Sequence, residues 1–110
     1  MLVIIDYGVG NVRSVINAFR YIGSDIQVSC EPQEIRRSEG LILPGVGASG
    51  YAMQKLAPLA EVIRQEAQAG KPLLGICVGY QLLFEESYEM GTHRCLGLIA
   101  GKVVPIPKTL

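Results

Sequence analysis

The stretch Lys71-Pro72-Leu73-Leu74-Gly75-Ile76-Cys77-Val78-Gly79-Tyr80-Gln81 constrains the fold more than any other part of the chain. An apolar run ends in a cysteine flanked by glycines two places before and two places after. An amphipathic segment follows at once. This is the layout of a nucleophile elbow, in which a strand turns sharply into a helix and lifts one side chain off the sheet edge. The nucleophile of such a turn sits in a strained conformation, and small neighbours let the backbone close around it. Cys77 would then lie at a helix N-terminus, where the dipole favours a thiolate. A free thiol has a pKa of about 8.5, and sites of this kind lower it to roughly 3.5–7.5. The competing reading is a buried cysteine that closes a parallel strand.

The rest of the chain supplies a matching frame. Leu2 to Ile5, Asp25 to Ser29, Leu41 to Leu43 and Leu73 to Ile76 read as strands. Between them, Val12, Val15, Ile16, Phe19 and Ile22 recur at helical spacing, with Asn11 as N-cap and Gly23 as stop. Pro32 starts a helical turn that runs to Arg37. Tyr51 to Leu56 reads as a short helix, and Pro58 starts a second one that ends at Gly70. Gly79 to Ser87 reads as a further long helix, and Leu96 to Ile106 as one or two strands. Strands that alternate with helices imply an α/β, flavodoxin-like, mostly parallel sheet with flanking helices. Ligands then bind at the carboxyl ends of the strands. Gly8 to Gly10, Gly45 to Gly47 and Gly75 to Gly79 all fall at those ends.

Composition narrows the function classes. The 110 residues suit one domain, 1–110, with 49% hydrophobic and 18% charged residues and zero formal net charge. No basic stripe suggests a nucleic-acid partner, and no apolar run approaches a membrane span. The three cysteines, Cys30, Cys77 and Cys95, fit neither a disulfide framework nor a zinc site, so a reducing cytoplasm is expected, with no metal or cofactor. Cys30 and Cys95 read as inert.

Gly45-Val46-Gly47-Ala48-Ser49-Gly50 matches the dinucleotide fingerprint G-x-G-x-x-G, but it follows the third strand, and no carboxylate stands where a ribose would need one. Gly70-Lys71 mimics the end of a P-loop, but Pro72 stands where Ser or Thr should be and Gln65 where the first glycine should be. The glycine loop fits better as a set of backbone N–H donors for an oxyanion, joined by the N–H of Val78. The only histidine, His93, reads as a solvated loop residue. Glu85, Glu86 and Glu89 read as lying on or just after the helix that follows Cys77, as its wet face.

Pro44-Gly45-Val46-Gly47, together with Gly75-Ile76-Cys77-Val78-Gly79-Tyr80-Gln81-Leu82-Leu83-Phe84-Glu85, resembles the class I (triad) glutamine amidotransferases. Ile4-Ile5-Asp6-Tyr7-Gly8-Val9-Gly10-Asn11-Val12 narrows the resemblance to the glutaminase subunits of imidazole glycerol phosphate synthase, of histidine biosynthesis. The resemblance implies that Cys77 attacks the side-chain amide of glutamine and forms a glutamyl thioester. Val46, Gly47 and Val78 would surround the oxyanion. Gln81 and Glu89 would help hold the substrate glutamine. Asn11 would lie near a (β/α)₈ cyclase partner that receives ammonia through a tunnel. The family's catalytic histidine and glutamate belong to a His-Pro-Glu type motif in the second half of a domain roughly twice this length. These residues hold no such motif, so the chain is expected to be the N-terminal part of the family domain and inactive alone. Two alternatives are a non-catalytic cyclase-binding fragment and a nucleotide-binding α/β domain.

Overall fold

Strands β1 (Leu2–Ile5), β2 (Ile26–Ser29), β3 (Gly40–Leu43) and β4 (Leu73–Gly75) form a parallel sheet in the order β2-β1-β3-β4. The computed structural model describes residues 1–107; the last three positions of the expected 1–110 domain lie outside them. Successive side chains of a strand point to opposite faces. Val3, Ile5, Leu41 and Leu43 therefore share one face, packed with Ile35 of α2 (Pro32–Arg37) and with Ala52, Leu56, Leu59, Val62 and Ile63 of α3 (Ser49–Gln68). Ile4, Ile26 and Ile42 share the other, against Val12, Val15, Ile16 and Phe19 of α1 (Val12–Tyr21). This is the flavodoxin-like α/β arrangement expected from the alternation of elements.

The α1 face is incompletely covered. Leu2, Phe19, Ile42, Leu73 and Leu74 line an apolar groove of about 200 Å³, and Leu74 is half exposed. Among the described residues no strand pairs with the outer edge of β4.

Two helix readings need correction. Pro58 lies inside α3, which runs without a break from Ser49 to Gln68. Pro58 and Gln54, whose carbonyl loses its helical donor, are both exposed, so water can take the free acceptor. Leu56, Leu59, Val62 and Ile63 remain on one buried stripe across the proline, and that burial holds the helix together. The long helix read over Gly79 to Ser87 is instead one turn, α4 (Val78–Gln81), followed by strand β5 (Phe84–Ser87). Tyr80, Leu83 and Phe84 mimic helical spacing. The decisive partners are distant: β5 pairs antiparallel with β6 (His93–Arg94) and parallel with β7 (Ile99–Val103). A short apolar run is ambiguous by periodicity, and long-range pairing decides it. Glu85 and Glu86 therefore sit on a strand, where Glu85 accepts a hydrogen bond from the Gly101 N–H at 2.9 Å.

Candidate active site

The end of β4 builds the elbow. The Ile76 N–H makes a last ladder bond to the Leu43 carbonyl at 3.0 Å. Cys77 then takes φ 58° and ψ −123°, a conformation that costs a non-glycine residue about 1–3 kcal/mol. The Gly79 N–H closes the turn on the Ile76 carbonyl at 3.0 Å, and the Tyr80 N–H reaches the Cys77 carbonyl at 2.9 Å. Cys77 is exposed. The flanking glycines are there because nothing larger fits. A Cβ on Gly79 would lie 1.9 Å from the Leu43 carbonyl oxygen, and one on Gly75 would lie 2.6 Å from the Tyr80 Cα. Because α4 has only four residues, the full-length helix expected behind the sulfur is reduced to a single turn.

The glycine loop after β3 lies directly against this elbow. A Cβ on Gly45 would meet the Gly79 nitrogen at 2.6 Å and the Val78 carbonyl carbon at 3.1 Å, so the two loops pack backbone on backbone. Gly47 has φ +79°, and Val46 and Gly47 are exposed. Among the described residues, the N–H groups of Val46, Gly47 and Val78 have no hydrogen-bond acceptor. Three unpaired donors beside an exposed thiol suit stabilisation of a tetrahedral oxyanion.

The loop after β1 supports the glycine loop. The Tyr7 hydroxyl, in a buried residue, donates to the Pro44 carbonyl at 2.5 Å. A Cβ on Gly10 would lie 2.9 Å from the Pro44 Cβ. Burial pushes the Tyr7 phenol up to about 12. An unfolded tyrosine ionises near pH 10, so the unfolded state sheds its proton first as pH rises. Stability contributed by neutral Tyr7 is therefore intact below about pH 10 and is lost progressively toward pH 12. In alkaline unfolding, Tyr7→Phe should remove that part of the pH dependence; an unchanged slope between those limits would count against burial of the phenol as its source. Asn11 caps α1, its Oδ1 accepting from the Ser14 N–H at 3.2 Å, a contact usually worth about 0.5–2 kcal/mol.

Glu89 lies off the solvated helix face where the sequence placed it. Its Oε1 accepts from the Ser49 N–H at 3.0 Å, at the start of α3 and two residues beyond Gly47. The fully buried Ser49 and Ser87 hydroxyls meet at 2.6 Å beside it. A phosphate at this helix end would face a carboxylate already in place, which argues against the dinucleotide reading of Gly45 to Gly50. Gln81 carries a buried Oε1 without a hydrogen-bond partner among the described residues. His93 is on a strand, not in a solvated loop. Its ring covers Gly50, where a Cβ would come within 2.5 Å, and its Nε2 lies 3.0 Å from the Met90 carbonyl. Of the other thiols, Cys30 is exposed outside any elbow, while Cys95 is buried and pushed up first by burial and then by the Glu86 carboxylate. Among the described residues no group of His, Cys, Asp and Glu is placed to hold a metal ion. Among the described residues no helix is long and apolar enough to cross a membrane.

Residues 3–107 match the family model for glutamine amidotransferase class-I. The chain belongs to the class-I glutamine amidotransferase family. Among relatives of this amidotransferase chain, the imidazole glycerol phosphate synthase subunit HisH of Wolinella succinogenes is 48% identical over 99% of this chain and 54% of its own length. The subunit of the same name from Methanothermobacter thermautotrophicus is 50% identical over 97% of this chain and 54% of its length. That of Lacticaseibacillus casei is 52% identical over 97% and 52%. The chain thus spans about half the length of the curated relatives it matches. A crystal structure titled as that of a glutamine amidotransferase superposes with a TM-score of 0.76 at 21% identity, covering 93% of this chain and 55% of the other. That likeness speaks for the fold.

The amidotransferase fold brings Cys77, Val78, Val46 and Gly47 together at adjoining strand ends, β3 and β4 being hydrogen-bonded neighbours. Sequence reasoning did not find the Tyr7 hydroxyl, Ser49 or Ser87. For Tyr7 a signal was present: a tyrosine straight after a buried strand needs a partner for its hydroxyl. For the two serines there was none, because they lie 38 residues apart in the chain.

Proposed function

We propose that this chain is the N-terminal, nucleophile-bearing part of a glutaminase that supplies ammonia to a (β/α)₈ cyclase subunit in the synthesis of imidazole glycerol phosphate. The observation that carries this reading is Cys77 in the elbow beside the N–H groups of Val46, Gly47 and Val78, which have no acceptor among the described residues. The Cys77 sulfur forms a bond to the side-chain amide carbon of glutamine, and the carbonyl electron pair moves onto oxygen. The three N–H groups receive that oxyanion. Collapse expels ammonia, with its proton delivered by a general acid, and leaves a glutamyl thioester. Water then releases glutamate and restores the thiol. The Glu89 carboxylate suits the ammonium of the substrate, and the Gln81 amide N–H its carboxylate. Asn11, exposed at the strand ends, suits the side that meets the cyclase. No cofactor enters this chemistry, and a heterodimer in the cytoplasm is the setting that it fits.

The general acid and base come from outside these residues. The uncovered groove beside β4 supports a second half that packs there and brings them to Cys77. The 110-residue chain should therefore show no glutaminase turnover, yet a glutamine-shaped chloroketone should alkylate Cys77 well ahead of Cys30 and Cys95. Peptide mapping after limiting labelling reads this directly. Equal labelling of the three thiols in the folded chain would refute the reading. So would alkylation of Cys77 no faster by the chloroketone, relative to iodoacetamide, than that of Cys30.

A further inference from the structure

Among the described residues, the loop that presents the Val46 and Gly47 donors makes one backbone hydrogen bond, the Ala48 carbonyl accepting from the Ala52 N–H at 3.1 Å where the loop enters α3. Among the described residues, the N–H groups of Gly45, Val46, Gly47 and Ala48 donate to nothing. Its shape is therefore set from its two ends. The leading end is fixed by β3, by the Tyr7 hydroxyl on the Pro44 carbonyl and by the packing of Gly45 on Gly79. The trailing end enters α3 at Ser49, and there the helix has no cap of its own, since Ala48 offers no side-chain acceptor. The β5–β6 connection supplies what is missing.

Glu89 Oε1 takes the Ser49 N–H at 3.0 Å. The Ser49 and Ser87 hydroxyls lie 2.6 Å apart with both residues fully buried, and the Glu89 N–H reaches the Ser87 Oγ at 3.3 Å. The His93 ring covers Gly50 so closely that no side chain fits between them. These contacts fall on two consecutive residues, Ser49 and Gly50, from the end of β5 (Ser87), the connection after it (Glu89) and the start of β6 (His93).

We propose that the β5–β6 connection clamps the oxyanion loop, with Ser87, Glu89 and His93 as positioning residues that hold Ser49 and Gly50 and so fix Val46 and Gly47. A cap supplied from another element does more than end a helix. It ties the first turn of α3 to a second sheet, so the loop cannot swing without breaking buried polar contacts. The inference rests on the oxyanion reading for its significance, but the clamp is measurable without any substrate.

The test uses the ¹⁵N-labelled 110-residue chain. Amide order parameters of Val46 and Gly47 should be about 0.85 in the parent and fall below about 0.6 in Glu89→Ala and in Ser87→Ala, while β1 and β3 keep theirs. Glu89→Gln should restore the rigid values, because its amide oxygen still accepts from Ser49. Chloroketone selectivity for Cys77 should fall by roughly tenfold in Ser87→Ala, a residue with no part in holding the glutamine-shaped reagent. If both alanine variants melt early while Val46 and Gly47 keep their order, the contacts serve the fold only and the clamp is refuted. Loss of order throughout the chain, with no local excess at the loop, refutes it equally. Should the alanine variants not fold, Ser49→Ala provides the answer: it keeps the backbone N–H bond to Glu89 and removes only the hydroxyl, so an intermediate loss of order supports the clamp and none refutes it. Loss of loop order without any parental chloroketone selectivity would uphold the clamp and overturn the glutaminase reading.

Discussion

Gly79→Ala is expected to unfold the end of β4, with a loss of more than about 3 kcal/mol. Two effects oppose each other at this position. Gly79 lies within α4, and alanine in a helix interior is favoured over glycine by about 0.8–1.0 kcal/mol. Against this, the added Cβ would lie 1.9 Å from the Leu43 carbonyl oxygen, 2.7 Å from its carbon and 3.0 Å from the Pro44 carbonyl carbon. All three are backbone atoms, so no side chain can rotate away. Relief requires β3 and β4 to part at the Ile76 to Leu43 bond, where the glycine loop Gly45 to Gly47 begins. The clash exceeds the propensity gain several-fold, and a domain of this size has only about 5–15 kcal/mol in total. Urea unfolding followed by far-UV circular dichroism reads the loss. A midpoint equal to or above the parent's would show that the elbow has slack that these distances deny.

What the sequence made legible follows from where each element buries its side chains. β1 and β3 are covered on both faces, so they appear as unbroken apolar runs, Leu2 to Ile5 and Leu41 to Leu43. The elbow was legible because its glycines are imposed locally, by atoms one strand away. The β5 strand was not. Leu82 and Leu83 are buried as a helix would bury them, and what makes Phe84 to Ser87 a strand is pairing with residues up to Val103. The role of Glu89 was hidden for the same reason: the N–H that it caps lies 40 residues earlier. Pro58 misled because a proline inside a long helix is tolerated only when burial of the flanking turns outweighs its cost, and burial is a property of the fold. The candidate site thus divides cleanly. Its elbow cysteine and glycine loop are local in sequence, while the contacts that hold them in shape come from elsewhere in the chain.

The largest effect on chemistry should come from Cys77→Ser. The measurement joins residues 1–107 to the second half of the Wolinella succinogenes relative, which is 48% identical over the shared part, and pairs the hybrid with a cyclase subunit. Glutamine-dependent product formation should fall by roughly 10⁴–10⁶-fold, the usual scale for loss of a nucleophile that acts in concert with a base. Formation of the same product from added ammonium should stay at the parent level, because the proposed function puts the cyclase chemistry in the other subunit. Serine preserves the shape of the elbow, so a collapsed fold does not account for the loss: Cys77 sits at φ 58° in a turn that Gly75 and Gly79, two places away on either side, let close, and among the described residues its sulfur makes no hydrogen bond that holds it there. The weaker nucleophilicity of the hydroxyl does account for it, since a thiol is already a few per cent thiolate near neutral pH and a serine hydroxyl is not. If both activities fall together, the variant has disturbed the docked complex, and the assignment of Cys77 as nucleophile loses its support. If neither falls, another group opens the amide, and the unpaired donors of Val46, Gly47 and Val78 serve some other oxyanion.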